Sequence, residues 1–243
     1  MRILLLSPPT ISAIKTVVGT TGPPLGLAYL ASMIREKHDV RIVDSLAEDY
    51  TYEDVKKIIK KYDPDVVGIT STTSMIPDAY IVAKMAKKIN KDVKVVMGGP
   101  HVTFVPEKTF KECPCVDFIV RGEGEITFKE LIDILEKNED PSNILGLSIN
   151  LGDKVKNNPP RPLIKDIDTI PIASYDLLPM KKYQAGGVRF GTVMTSRGCP
   201  FNCVFCSSSL QFGKRWRGHS DSRVIEELKH LHEKYKIREI EFL

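Results

Sequence analysis

Between Met1 and about Leu135, short apolar runs alternate with longer stretches of helical periodicity, and this alternation restricts the fold more than any other feature of the chain. The strand-like runs are Arg2–Leu6, Val40–Val43, Asp65–Thr70, Val93–Met97 and Asp117–Val120. The helical stretches are Leu25–Ile34, Tyr52–Tyr62, Asp78–Asn90 and Ile126–Lys137. Pro23-Pro24 stands at the mouth of the first helix, where a missing N–H costs little. In the second, Val55, Ile58 and Ile59 share a side and the lysines lie outside. Strands and helices that alternate in this way require right-handed crossovers and helices on both faces of a parallel sheet. The expected fold is α/β, a flavodoxin-like doubly wound parallel sheet of strand order 2-1-3-4-5.

Such a sheet binds ligands beyond the carboxyl ends of its strands, here at the switch point between strands one and three. Three unusual segments fall there. After strand one comes Ser7–Pro24, a long loop containing Gly19-Thr-Thr-Gly-Pro-Pro24. After strand three comes the hydroxyl run Thr70-Ser71-Thr72-Thr73-Ser74, and after strand four Gly98-Gly99-Pro100-His101. Each alone is explained as well by helix caps and turns. Together at one crevice they suit a large polar ligand. Phosphate motifs do not fit: G-x-x-x-x-G-K-[ST] is absent. Gly122-Glu123-Gly124-Glu125 carries two carboxylates and lacks the third glycine of a dinucleotide fingerprint. Glu123 and Glu125 suit the dipole of the helix that follows. His101 serves a ligand or a structural hydrogen bond equally well. Cys113 and Cys115 have no spacing partner and are expected to be structural.

The 243 residues allow one large or two ordinary domains. Residues 1–156 form the expected sheet domain, closed by a hairpin of Leu145–Leu151 and Lys154–Lys156 around Gly152-Asp153. Asn157-Asn-Pro-Pro-Arg-Pro162 opens a linker over 157–187, and a second unit occupies 188–243. A net charge of +4 is too mild to point to nucleic acid. No apolar run reaches the ~20 residues of a membrane span. The apolar start ends at Pro8-Pro9 without a cleavage site, so it reads as a strand and not a signal peptide. Five cysteines, an odd number with three clustered, favour metal binding in a reducing compartment over disulfides. A cytoplasmic location is expected.

The clustered three are Cys199-x-x-x-Cys203-x-x-Cys206. Thiolates at this spacing suit a loop wrapped around one iron–sulfur cubane. Three ligands leave one iron free to take a substrate or cofactor. Gly198 and Pro200 help shape the loop. The rival is a zinc site completed by His219, against which no second compact cysteine pair exists. Lys214-Arg-Trp-Arg-Gly-His219 combines charge with an aromatic residue, as nucleic-acid patches do, but it is one short run. A nucleic-acid partner is not expected, and a structural role beside the cluster is.

Cys199-x-x-x-Cys203-x-Phe205-Cys206, preceded by a strand and Arg197-Gly198, resembles the signature of the radical S-adenosylmethionine superfamily. The resemblance implies a [4Fe–4S] cluster on Cys199, Cys203 and Cys206, with Phe205 at the cofactor site. The free iron then binds the amino and carboxylate groups of S-adenosylmethionine, whose reductive cleavage releases a 5′-deoxyadenosyl radical. The preceding domain resembles the cobalamin (B12)-binding domain of class B radical methylases. Pro23-Pro24-Leu25-Gly26-Leu-Ala-Tyr-Leu30, Thr70–Ser74, Gly98–His101 and Arg121–Glu125 carry that likeness. It implies cobalamin contacts at Pro24, Leu25, Gly26, Ser71, Thr72, Thr73, Gly98, Gly99, His101 and Glu123. The D-x-H-x-x-G motif of other cobalamin domains is absent, and no histidine precedes His38. The resemblance therefore implies cobalt with a face left open to receive and donate a methyl group.

From Ala185 the chain has 59 residues, enough for about two strands and one helix. A complete barrel of the kind the resemblance implies needs about 250. The expectation is the start of an incomplete radical SAM (β/α) barrel, with an open strand edge and a helix stripe lacking neighbours. A piece of a longer chain, a disrupted gene or half of a split enzyme would read this way, with a C-terminal partner chain completing the barrel. The leading function is methyl transfer to an unactivated carbon. The alternatives are a non-catalytic corrinoid-binding module with a vestigial cluster loop, and a zinc-containing nucleic-acid-binding protein.

Overall fold

The structure, a computed structural model, describes residues 1–10 and 22–243. The greater part of the loop after strand one, including Gly19, therefore lies outside the described residues.

The chain opens with β1 (Arg2–Ser7), α1 (Leu25–Ile34), β2 (Asp39–Asp44) and the short α2 (Ser45–Glu48). It continues with α3 (Tyr52–Tyr62), β3 (Val66–Thr70), α4 (Ile76–Ile89) and β4 (Lys94–Gly98). Local chemistry sets these boundaries. Thr51 and Asp54 form a reciprocal capping box at the start of α3. Asp44 caps α2, accepting from the amides of Leu46 and Ala47. After β4 come α5 (Pro100–Phe104) and α6 (Pro106–Glu112), two short helices the sequence reading had not anticipated. Both begin on proline, which fits the first turn of a helix because its missing N–H has no partner there. Then follow β5 (Phe118–Val120), α7 (Gly124–Glu136) and the hairpin β6 (Leu147–Asn150) and β7 (Val155–Asn157).

Among the described residues the main sheet runs β2-β1-β3-β4-β5-β6-β7. Its first five strands are parallel in the expected order, and the hairpin adds two antiparallel strands beside β5. β1 is an unbroken apolar run because both of its faces are covered. Ile3 and Leu5 pack toward α1 and α7, while Leu4 and Leu6 pack toward α3 and α4.

Residues 157–187, expected to be a linker, have little regular structure but are packed. Ile164, Ile167, Ile170, Tyr175, Met180 and Tyr183 are buried in the same cluster as α1 and α7. Tyr183 donates to Asp44 Oδ2 at 2.9 Å, both groups being buried. The segment is thus a strap over one face of the sheet. Its apolar residues follow no helical or strand period, which is why it reads as a linker.

The chain ends with β8 (Gln184–Ala185), β9 (Val188–Val193), β10 (Ser196–Arg197), α8 (Ser208–Phe212), β11 (Arg217–Gly218), α9 (Asp221–Tyr235) and β12 (Glu239–Phe242). β9 and β12 are parallel with α9 between them, one right-handed βαβ unit. The expected open edge is present: among the described residues β12 pairs with β9 alone, and Phe242 is exposed. The expected bare helix stripe is not. Leu231 of α9 is fully buried, with Leu228 and Tyr235 packed on the cluster that includes the strap.

Candidate functional site: a cavity between the sheet and the cysteine loop

A cavity of about 150 Å³ lies at the carboxyl ends of β3, β4 and β5, on the face covered by α1 and α7. Its inner wall is apolar: Leu5, Leu27, Tyr29, Leu30, Val96 and Phe128. Glycine keeps this wall open. A Cβ at Gly68 would approach Leu5 Cδ2 to 2.7 Å, so a larger residue there would displace the strand one neighbour. The outer wall comes from far along the chain: Met194, Arg197, Gln211 and Phe212, on both sides of the cysteine loop.

The rim is fixed by backbone geometry. Gly99 has φ +102, and a Cβ on it would stand 2.5 Å from the Ser71 carbonyl oxygen. Only glycine lets the loop after β4 lie against the loop after β3. The Ser71 amide donates to the Gly98 carbonyl at 2.9 Å, and its hydroxyl to the same oxygen at 3.2 Å.

The hydroxyl run is therefore divided. Thr70 lines the cavity; Ser71 is buried and committed to Gly98. Thr72 is exposed and lies 3.0 Å from the Ser74 hydroxyl. Thr73 Oγ1 is 3.1 Å from His101 Nδ1. The other ring nitrogen of His101, Nε2, is buried without a partner, and burial lowers the pKa of this imidazole. Gly26, Gly98 and Gly99 line the cavity; Pro24 and Leu25 form the entry to α1 beside it, Pro24 as N-cap.

Glu123 and Glu125 also line the cavity, but their main engagement is ionic. Arg197 donates from Nη2 to Glu125 Oε1 at 2.6 Å and from Nη1 to Glu123 Oε1 at 3.3 Å. Arg217 Nη1 lies 2.9 Å from both oxygens of Glu123, and the Ile164 amide donates to Glu123 Oε2 at 2.8 Å. Arg217 also donates to the Ile164 and Phe212 carbonyls, each at 2.7 Å. Burial pushes the Arg197 guanidinium toward its neutral form; Glu125 and Glu123 outweigh that and raise its pKa. Arg197 also sits over the Tyr29 ring, 5.8 Å from its centroid. The sequence reading missed this network because its partners lie 72 to 94 residues apart.

The cysteine loop is closed at its base and open at its tip. β10 and β11 pair antiparallel, Ser196 with Gly218 and Arg197 with Arg217. The Cys199 amide donates to the Gly213 carbonyl at 3.0 Å. Gly198 has φ +89, and a Cβ there would stand 2.2 Å from the Arg215 carbonyl oxygen. The Cys206 amide donates to the Cys203 carbonyl at 3.1 Å. Backbone and side-chain hydrogen bonds from Ser208 lower the Cys206 thiol pKa. Cys203, Cys206, Phe201, Val204 and Phe205 are exposed. Among the described residues no three His, Cys, Asp or Glu side chains stand close enough together to hold a metal ion. His219, the zinc candidate, is 2.7 Å from Asp168 Oδ1 through Nδ1. Cys113 and Cys115 do not line the cavity; their sulfurs are 3.2 Å apart, which lowers the Cys115 thiol to about 7 and raises that of Cys113.

The sequence profile of the B12 binding domain matches residues 11–132, half of the chain. The chain belongs to the B12-binding domain family. It is 72% identical over 243 residues to an uncharacterized methyltransferase of Pyrococcus horikoshii, covering all of this chain and 53% of that protein. It is 33% identical over 236 residues to an anaerobic magnesium-protoporphyrin IX monomethyl ester cyclase of Rubrivivax gelatinosus, covering 94% of this chain and 42% of the cyclase. The fold matches the cobalamin-dependent S-adenosylmethionine radical enzyme OxsB, solved with aqua-cobalamin and S-adenosylmethionine bound. That match has a TM-score of 0.82 at 22% identity and covers 99% of this chain and 33% of OxsB. The fold shared with such enzymes thus includes the β9–β12 unit. The chain spans about half the length, or less, of the curated relatives it matches.

The B12-binding domain has the fittings its cofactor requires. The glycines at 26, 68, 98 and 99 present backbone without side chains to the cavity. A cavity of about 150 Å³ is too small for a corrin ring. The Tyr29 hydroxyl and Glu125 Oε2 are buried without hydrogen-bond partners in residues that line the cavity. Both are polar positions open to a partner at the cavity. Among the described residues no helix is long and apolar enough to cross a membrane.

Proposed function

We propose that this chain is the cofactor-holding part of a cobalamin-dependent radical S-adenosylmethionine enzyme that transfers a methyl group to an unactivated carbon. One observation carries the reading: the cavity of the B12-binding domain is walled on its outer side by the segment that bears Cys199, Cys203 and Cys206. A site for a corrinoid and a site for an iron–sulfur cluster thus adjoin. When bound, cobalamin supplies a transferable methyl group, and a [4Fe–4S] cluster supplies the electron that cleaves S-adenosylmethionine.

The chain's own residues bind and orient. Leu5, Leu27, Val96 and Phe128 line the cavity and would exclude water from the part of the cobalamin held there, with Gly98 and Gly99 presenting backbone to it. Cys199, Cys203 and Cys206 would hold the [4Fe–4S] cluster and leave one iron for S-adenosylmethionine. Phe205, the aromatic residue beside Cys206, is exposed and would cover that site. Further strands of such a barrel would pair on the open edge of β12.

Anaerobic reconstitution with iron, sulfide and hydroxocobalamin tests the reading. The expected outcome is a brown chromophore with about four irons per chain, lost on Cys203→Ala, together with a bound corrinoid spectrum. The exposure of Cys203 and Cys206 favours a second reading, a corrinoid-binding module without redox chemistry. A corrinoid spectrum without iron would decide for that module.

A further inference from the structure

We infer that Glu123, Glu125, Arg197 and Arg217 are positioning residues that couple the cobalamin cavity to the cysteine loop, so that filling the cavity orders the loop. The inference rests on the cobalamin reading above and names the device that joins its two sites.

All four side chains are more than nine-tenths buried. Two carboxylates and two guanidiniums balance in charge, yet a buried ion set seldom stabilises a protein more than apolar packing of the same volume. What such a set provides is a unique arrangement. Here both ends of the loop are tied to it. The loop enters through Arg197, two residues before Cys199, and leaves through Arg217, which faces Arg197 in the β10–β11 ladder. Helix α8, between them, is held by the Phe212 carbonyl on Arg217 Nη2. The carboxylates belong to the first turn of α7 and the residue before it, which form part of the cavity wall. The strap joins through the Ile164 amide and carbonyl.

Two positions in the network are open, Arg217 Nε and Glu125 Oε2, and of the two residues Glu125 lines the cavity. Glu125 Oε1 accepts from Arg197, while Glu125 Oε2 is buried at the cavity wall without a partner. A hydrogen-bond donor on the tail of a corrinoid completes that carboxylate and fixes Arg197 behind it. Arg197 Nη1 and Arg217 Nη1 meet on Glu123, which carries the constraint to both ends of the loop. The arginine fork is essential, because a lysine offers one point charge where Arg217 spans Glu123, the strap and α8.

Hydrogen exchange on the 243-residue chain tests this, read at the hydrogen-bonded amides of Cys199 and His219 and along the β10–β11 ladder. In the wild type, saturating hydroxocobalamin should slow exchange at these amides about tenfold, a coupling of ordinary size. Arg217→Lys should still bind hydroxocobalamin, by its visible spectrum, but lose most of that slowing. Arg217→Gln, which removes the charge at a residue outside the cavity lining, should do the same and serves if Arg217→Lys does not fold. A merely structural role speeds exchange in the free variants but leaves the slowing factor intact. That result, or a wild-type loop indifferent to bound hydroxocobalamin, would overturn the inference. A wild-type chain that binds no hydroxocobalamin would instead overturn the cobalamin reading, and this inference with it.

Discussion

Two loops meet at the cavity, one after β4 and one after β9, and each turns on a glycine. At Gly99 an added Cβ would strike the Ser71 backbone, and at Gly198 it would strike the Arg215 carbonyl. Beyond the glycines the loops diverge. The first runs into α5, where Val102 is fully buried, and is held by core packing. The second runs out to exposed cysteines, with Phe201, Val204 and Phe205 in solvent. It is held only at its base, by a two-residue ladder and by buried charge. The same backbone device thus serves a site preformed by the core in one place and a loop anchored at its base in the other.

The largest expected effect is that of Gly99→Ala. The strained φ and two backbone contacts at 2.5 and 2.9 Å should cost about 3 kcal/mol or more of global stability. Urea unfolding checks it, and corrinoid binding should fall with it. Gly198→Ala carries similar strain on a loop with little packing. It should abolish iron uptake while leaving the unfolding free energy of the main sheet within about 0.5 kcal/mol of wild type. If both substitutions lower global stability equally, the contrast between the loops is wrong.

The parts legible in the sequence were those with a period. Strand order followed from alternation, and the hairpin from Gly152-Asp153, though its antiparallel pairing with β5 was not foreseen. α5 and α6 escaped because five and seven residues are too few to show a helical stripe, although Pro100 and Pro106 marked their starts. The strap escaped because Ile164, Ile167, Tyr175 and Tyr183 bury singly, out of any register. At the site, the cysteine spacing and the glycines were readable. Tyr29, Phe128 and Arg197 were not, since only folding brings them to one cavity. Gly68, a glycine inside a strand, was the local signal for close approach that went unused.

Intermediate in size is Tyr175→Phe, which probes how the β9–α9–β12 unit is fastened. The Tyr175 hydroxyl lies 2.6 Å from Glu227 Oε1 and 2.8 Å from the Thr192 carbonyl, all buried. Burial already raises the Glu227 pKa, so removing this donor should cost about 1–3 kcal/mol. Hydrogen exchange should place the loss in α9 and β9 and spare β1 and β3.

The smallest effect is expected at Arg35, paired to Asp176 of the strap at 2.6 and 2.7 Å. Both partners are more than a third exposed, so Arg35→Gln should cost less than about 1 kcal/mol. The hydrogen bond from Arg35 lowers the Asp176 pKa. A carboxylate whose folded pKa is depressed contributes stability above its unfolded value near 3.9, and that contribution is lost as pH falls. The difference between Arg35→Gln and wild type should therefore shrink as pH falls below about 4. A cost that stays constant down to acid pH would assign Arg35 a packing role.

Titration of hydroxocobalamin into the folded 243-residue chain, followed by visible absorbance and equilibrium dialysis, bears most directly on the cavity. The expected result is one equivalent bound at about micromolar affinity, at least tenfold weaker in Gly26→Leu, whose side chain enters the cavity without disturbing the fold. A folded wild-type chain with no spectral change, or equal affinity in the two proteins, would contradict the assignment.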